Sequence, residues 1–486
     1  MDRRRFLALS SLPLAVGRLE ARTRPDALTT QAADGRFEDI AAVVTEKMQA
    51  YRVPGVALGI IANGTTQLRG FGVTSVDDPK PITDDTLFTI ASISKTVTAT
   101  AVMKLVEARR LAIDGPLREY VREFRVLDEA TTNEVTLWHC LTHTPGWEGQ
   151  LSTEDRGIDA LAHFAGTIMP TLPQIAPLGR VWSYNNAGFA LAGRVIEKVT
   201  GKPIHDALRE LVFAPLGLSH TVTRLTDAMT YRFTLGHRDR GNAVEVIRPF
   251  QTTSSTTAGG VLTSIADIMR YARFHLGDGR TPEGAPYLSA EPLAMMKTPQ
   301  FVKAGTTDQM GVGWHVRNVG GVPTLAHGGT LNGHCLLLQL VPSKGLAFAV
   351  FTNHVDGWRL VQDVEAAILK AYAGVALAPG QMIAHRGVNE AMTFHASAMA
   401  TQPAVDEYVG TYQRPPVGTV EVRRQGAGLV VATGGGQAEA PIAFYGPDVA
   451  YALSGQYVGM PYEFIRDDKA IVRWIRVNGR IARRGA

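Results

Sequence analysis

Apolar residues at Phe37, Ile40, Ala41, Val44 and Met48 recur every three to four positions, the spacing of one buried helix face. The period then changes. VALGII at 56–61 and TQLRGFGV at 66–73 flank Asn63-Gly64, a pair suited to a tight turn, and predict a β-hairpin. The same grammar returns far downstream. GVGWHV at 311–316, HCLLLQLV at 334–341, a Pro-Ser-Lys-Gly turn and LAFAVFTN at 346–353 predict a meander, closed by a helix over 358–372. Strands at both ends and helices through the middle, about 96–300, predict an α+β fold. One antiparallel sheet is flanked by helices, with a helix-rich subdomain covering it. Loops at 144–148, 170–180 and 278–286, punctuated by Gly and Pro, are long enough to shape a cleft.

Beyond Gly374 the chain turns rich in Ala, Gly and Pro, and after Ala404 it becomes a series of short β-prone runs separated by Gly or Asp. The expected division is a leader at 1–35, a main domain at 36–375, a linker at 376–404 and a small β-rich domain at 405–486, with a barrel as one form for the last. At 486 residues, 45% hydrophobic and 19% charged, the chain holds ample core. Its net charge of +4 comes from 49 basic and 45 acidic residues that are interspersed. That argues against nucleic acid as a partner, which usually leaves a basic stripe with aromatics beside it. The two cysteines, Cys140 and Cys335, fit buried thiols better than a disulfide framework or a zinc site.

Arg3-Arg4-Arg5-Phe6-Leu7 before a short apolar run to Val16 resembles a twin-arginine export signal, although Pro13 interrupts the run. Thr30-Gln31-Ala32 is a candidate cleavage site, and the expected location is periplasmic or secreted, with a cytoplasmic enzyme as the alternative. Nowhere does an uninterrupted apolar run reach the ~18 residues of a membrane span.

Three short stretches carry candidate chemistry. In FTIASISKTVTA a single ammonium, Lys95, follows Ser92 by three residues among apolar and hydroxylic neighbours. Helical spacing puts the two on one face, and desolvation would favour the neutral amine that can accept the hydroxyl proton. Taken alone, Ser-x-x-Lys is more often a solvated lysine beside a serine. In VWSYNNAGFALAG, Tyr184 and Asn186 can both enter a cleft, the phenol as proton shuttle and the amide as donor and acceptor. The bland alternative is a packed tyrosine beside an Asn185 or Asn186 helix cap. In LAHGGTLNGH, His327-Gly328-Gly329 stands at the threshold of a strand, where the N–H of Thr330 could meet an oxyanion. A plain Gly-Gly turn is the competing reading.

Ser-x-x-Lys, then Tyr-x-Asn, then a [Lys/His]-x-Gly on a strand, in that order, resembles the serine β-lactamase and penicillin-binding protein superfamily. The Tyr-x-Asn form is similar to its class C β-lactamase, esterase and D-peptidase branch. The resemblance runs from about Phe37 to Tyr372 and extends to LTHTPGW (141–147), FAPLGLSHT (213–221) and AGGVLTSIADIMRYARF (258–274). It implies Ser92 as acyl-accepting nucleophile, Lys95 and Tyr184 as shared base and acid, and Asn186 as ligand of a substrate amide. His327, Gly329 and Thr330 would line the site, the amides of Ser92 and Thr330 forming an oxyanion hole. No metal and no organic cofactor are implied, and the partner is a small-molecule or peptide substrate. The chain departs from a true β-lactamase where His327-Gly328-Gly329 replaces Lys-Thr-Gly, which weakens recognition of a substrate carboxylate. An esterase or D-amino-acid amidase or peptidase is therefore expected ahead of a class C β-lactamase. An acyl-binding sensor without turnover is the non-enzymatic alternative.

Other chemistries find less footing. No serine has Gly at both −2 and +2, no Walker box occurs, and GAGLVV at 426–431 lacks the third glycine of a dinucleotide fingerprint. His139 and His143 are spaced to share a helix face, but no third ligand is evident. His143 reads as scaffolding near the cleft. Trp147 fits a substrate-facing wall and a core aromatic equally.

Overall fold

The computed structural model describes residues 35–151, 157–302, 309–376, 399, 401–433, 438–454 and 458–485. The export leader and nearly all of the expected linker lie outside them.

Helix α1 (Gly35–Ala50) buries Phe37, Ile40, Ala41 and Val44, the periodic face expected. Strands β1 (Gly55–Ala62) and β2 (Thr65–Gly72) follow as an antiparallel hairpin turning at Asn63-Gly64. The helical middle contains α2 (Ser94–Glu107), α3 (Leu137–Leu141), α4 (Asn186–Thr200) and α5 (Ile265–Leu276). The chain then returns to the sheet through β3 (Phe301–Val302), β4 (Gln309–Met310), β5 (His315–Val319), β6 (Val322–Leu331), β7 (His334–Val341) and β8 (Leu346–Thr352). Helix α6 (Gly357–Ile368) follows. The eight strands form one antiparallel sheet in the order β2-β1-β8-β7-β6-β5-β4-β3.

Why the central strands are apolar throughout is visible in how their side chains divide. On β7, Leu336, Leu338 and Leu340 enter the large core beneath the helical middle. Cys335, Leu337 and Val341 enter a second core beneath α1 and α6. The pleat sends alternate residues to opposite faces, and both faces are covered.

Two expectations need correction. The pattern predicts a meander of three strands, with His327-Gly328-Gly329 at a strand's threshold. These residues instead lie inside β6, a strand that pairs with β7 and separates it from β5. Pro323 and the glycine pair lower β-propensity, while pairing from both sides supplies what local preference lacks. The loop at 278–286 does not shape the cleft. Ser289 just beyond it donates its N–H to Glu107, at the C-terminal end of α2, about 18 Å along the helix from Lys95.

The C-terminal part is a closed antiparallel barrel of eight strands: β9 (Gly410–Arg414), β10 (Gly418–Gln425), β11 (Gly428–Thr433), β12 (Ala438–Gly446), β13 (Val449–Ala452), β14 (Pro461–Arg466), β15 (Val472–Val477) and β16 (Arg480–Arg484). Its interior is filled by side chains including Tyr408, Tyr412, Phe444, Phe464 and Ile475. The barrel docks on the helical subdomain. Trp474, Ile465 and Ile481 pack against Ile175, Ala176 and Val181, and the Trp474 indole donates to the Ile175 carbonyl at 2.9 Å.

Candidate active site

Ser92 sits in a single 3₁₀ turn (Ala91–Ile93) that runs directly into α2. Ala91 before it carries φ +46°, the left-handed region that costs energy for a residue with a Cβ. Helix α2 is buried on nearly every side, and its hydroxyls are satisfied internally. Thr98 donates to the Thr257 carbonyl at 2.8 Å, and Thr100 bonds with Tyr271 at 2.8 Å. That answers how a hydroxyl-rich segment can be core.

Lys95 lies one turn into this helix and is fully buried. Its Nζ donates to the Ala258 carbonyl at 2.6 Å and lies 3.1 Å from Ser92 Oγ. The Tyr184 and Phe189 rings stand 4.8 and 5.5 Å from the nitrogen. Desolvation, reinforced by the charge of Arg480, holds the Lys95 pKa well below that of an ordinary lysine. Tyr184 moves the other way. Desolvation pushes its phenol up to about 12, although a hydrogen bond with Ser92 and the Arg480 charge pull against that. An amine biased toward neutrality and a phenol that keeps its proton therefore meet one serine hydroxyl.

The loop bearing Tyr184 is fixed from below by His143. Its ring lies 4.6 Å from Tyr184 and 5.3 Å from Phe189, its Nδ1 accepts the Asn185 N–H at 2.9 Å, and its carbonyl accepts the Ser183 N–H. Asn185 caps α4, accepting from Gly188 N–H at 2.8 Å and donating to the Trp147 carbonyl at 2.9 Å. Asn186 is the first residue of α4 and half-buried, and among the described residues its side chain holds no hydrogen bond. Trp147 proves to be a core aromatic, packed on Phe124. His139 and His143 do not share a helix face: α3 ends at Leu141, and His143 has φ +61°. Among the described residues no three His, Cys, Asp or Glu side chains gather as a metal requires.

On the opposite side, β6 presses against the Ser92 turn. A Cβ on Gly329 would stand 2.4 Å from the Ile90 carbonyl oxygen, so only glycine lets the strand approach. His327 shares this face of the strand. It is buried against His315, its Nδ1 hydrogen-bonded to the Gly328 carbonyl oxygen at 2.8 Å. Thr330 faces away, its hydroxyl accepting from the Trp358 indole at 2.7 Å. Strand β5 pairs with β6 only as far as Ala326, so from His327 onward β6 has strand pairing on its β7 side alone.

Sequence reasoning missed two groups. Glu148 and Arg480 form an ion pair at 3.2 Å across the two domains, with the Arg480 guanidinium 5.9 Å from the Tyr184 ring centre. The one local signal was Asn478-Gly479 between β-prone runs, a hairpin turn with nothing to show where it docks.

An antiparallel sheet between two helical layers, with a serine and a dehydrated lysine at the head of the central helix, defines a serine hydrolase. The chain belongs to the Beta-lactamase family, which it matches over residues 40–373, and so to the serine β-lactamase and penicillin-binding protein superfamily. It is 33% identical over 337 residues to Penicillin-binding protein 4 of Amycolatopsis lactamdurans, covering 67% of this chain and 87% of that protein. It is 26% identical over 340 residues to the unguisins hydrolase ungD' of Aspergillus campestris, covering 67% of this chain and 63% of that one. The crystal structure of SurE superposes with TM-score 0.76 at 24% identity, over 93% of this chain and 99% of SurE. A class C β-lactamase superposes with TM-score 0.59 at 18% identity, over 70% of this chain and 98% of its own.

Proposed function

We propose that Ser92 forms an acyl-enzyme with an ester or amide substrate, with esters and D-amino-acid amides or peptides preferred over β-lactams. The 3.1 Å approach of the buried Lys95 amine to the Ser92 hydroxyl carries this reading. Lys95 takes the hydroxyl proton as Oγ bonds to the substrate carbonyl carbon. The resulting oxyanion is held by the amides of Ser92 and Thr330, and Asn186 binds the substrate's amide. Tyr184 protonates the leaving group as the C–N or C–O bond breaks, then recovers a proton from Lys95. Pushing one pKa down and the other up is what separates base from acid. Water then attacks the carbonyl carbon of the ester on Ser92 as the neutral Lys95 takes its proton, and the C–Oγ bond breaks as Lys95 returns that proton to Oγ.

The preference for substrates other than β-lactams rests on His327. Its buried imidazole is not the permanent cation that a β-lactam carboxylate meets in Lys-Thr-Gly enzymes. A relative named as an unguisins hydrolase supports hydrolysis, and a structural neighbour, SurE, determined with D-Leu supports the D-amino-acid class.

Mass spectrometry after treatment with a reactive phosphonate tests the nucleophile: a tag on Ser92 is expected, and a tag elsewhere with Ser92 untouched refutes it. Parallel assays of nitrocefin, short-chain esters and D-alanyl amides test the preference. It falls if nitrocefin is hydrolysed far faster than the others.

A further inference from the structure

The barrel reaches the candidate site with one hairpin. Asn478 and Gly479 form the two-residue turn between β15 and β16, with φ +52° and +71°. The Gly479 carbonyl accepts the Tyr184 N–H at 2.8 Å, and Ile481 N–H donates to Ser183 Oγ at 3.3 Å. The hairpin is thus bonded to the backbone that presents the phenol, and Arg480 is delivered beside it.

Arg480 is gripped from its other side. Glu148, 3% exposed, accepts from Arg480 Nη1 at 3.2 Å and lies 3.7 Å from Arg414 Nε, also from the barrel. Arg480 thus carries its charge to within 5.9 Å of the Tyr184 ring centre. A buried carboxylate is costly unless paired, so Glu148 ties the barrel to the main domain.

We propose that Arg480 supplies the fixed positive charge of the acylation centre, in place of the ammonium that β6 lacks at His327, and that Glu148 is the positioning residue that keeps it there. The proposal rests on the acyl-enzyme reading above. A guanidinium remains charged at every working pH. Its field opposes protonation of Lys95 and favours negative charge on Tyr184. Among the described residues, the groups facing Lys95 are Ser92 on its own turn, Tyr184, the Ala258 carbonyl and Arg480, with Glu148 and Arg414 behind the last. Losing the Arg480 charge therefore raises the pH at which the amine becomes neutral, and the acid limb of the rate profile follows.

The test is kcat/KM against pH for the full chain on p-nitrophenyl acetate, a neutral ester that needs no cation for binding. Phosphonate labelling of wild-type Ser92 comes first; failure to label there refutes the acyl-enzyme reading itself, and this proposal with it. With labelling established, Arg480→Gln should move the acid limb to higher pH, with about a tenfold loss on that limb for each pH unit it moves, and recover at higher pH. Arg480→Lys keeps the charge and should hold the limb near its wild-type position. Should Arg480→Gln fail to fold, judged by circular dichroism and melting, the limb of Arg480→Lys decides alone: held supports the proposal, displaced overturns it. Glu148→Gln should lower kcat/KM in wild type yet add nothing to Arg480→Gln, because Glu148 acts through Arg480. A wild-type profile in Arg480→Gln, or equal losses in the Gln and Lys variants, overturns the role of the charge. Additive losses in the double variant overturn the positioning role of Glu148.

Discussion

Lys95 is fully enclosed, with aromatic rings on two sides and Ala258 as its carbonyl partner. Such an amine is expensive to charge, and that cost bears on stability as well as chemistry. The sign follows from proton linkage. The unfolded chain holds the Lys95 proton up to a pKa of about 10.4, whereas the folded chain releases it at lower pH. Stability is therefore lost as pH falls from the unfolded pKa toward the folded one. Lys95→Met should raise the urea midpoint at pH 7, with a gain that shrinks as the pH approaches 10. A Met variant less stable than wild type at both pH values would mean that the Ala258 hydrogen bond outweighs desolvation. Acylation should be lost in the same variant. Ser92→Ala separates the two effects: turnover should fall about a thousandfold or more while unfolding free energy stays within about 1 kcal/mol. Substantial turnover in that variant would remove the serine from the chemistry.

Among the elements, β6 sets how closely the sheet meets the Ser92 turn. Gly329→Ala puts a methyl where the Ile90 carbonyl oxygen already stands, 2.4 Å away, and neither backbone can move freely. The strand must retreat. The expected result is a loss of about 10- to 100-fold in kcat/KM, with about 1–3 kcal/mol of destabilisation from overpacking. Wild-type kinetics in this variant would show that the approach of β6 does not matter to the reaction. Elements like α1 and the first hairpin are legible in the sequence because one local pattern decides each of them: a period of 3.6 at Phe37, Ile40, Ala41 and Val44, and a turn pair at Asn63-Gly64. Strand β6 is not, since Pro323 and two glycines argue against a strand and only its neighbours supply the reason for one. The proximity of Ser92 to Lys95 is legible for the same local reason, being one helical turn. Tyr184 depends on an ordered set of motifs, and the Glu148–Arg480 pair depends on a docking that no local pattern encodes.

Across the whole molecule, the apolar centre of that docking is a small cluster. Trp474 stands among Ile175, Ala176, Val181, Ile465 and Ile481 and bonds to the Ile175 carbonyl, while the barrel's own core around Tyr412, Phe444 and Ile475 does not include it. Trp474→Ala should therefore weaken the interface, by up to about 3–5 kcal/mol if little relaxes, and leave the barrel folded. Hydrogen exchange would report the separation directly. The Tyr184 and Ile481 amides, bonded across the domains to Gly479 and Ser183, should lose protection while amides in the barrel's ladders keep theirs. Activity on a neutral ester should fall with the docking, because Arg480 departs with the hairpin. Arg480→Gln added to Trp474→Ala should cost little more, since both remove the same charge from the same place. If the two amides exchange freely and ester turnover is nonetheless unchanged, the main domain works alone, and the barrel's contact with Tyr184 serves something other than the acylation step.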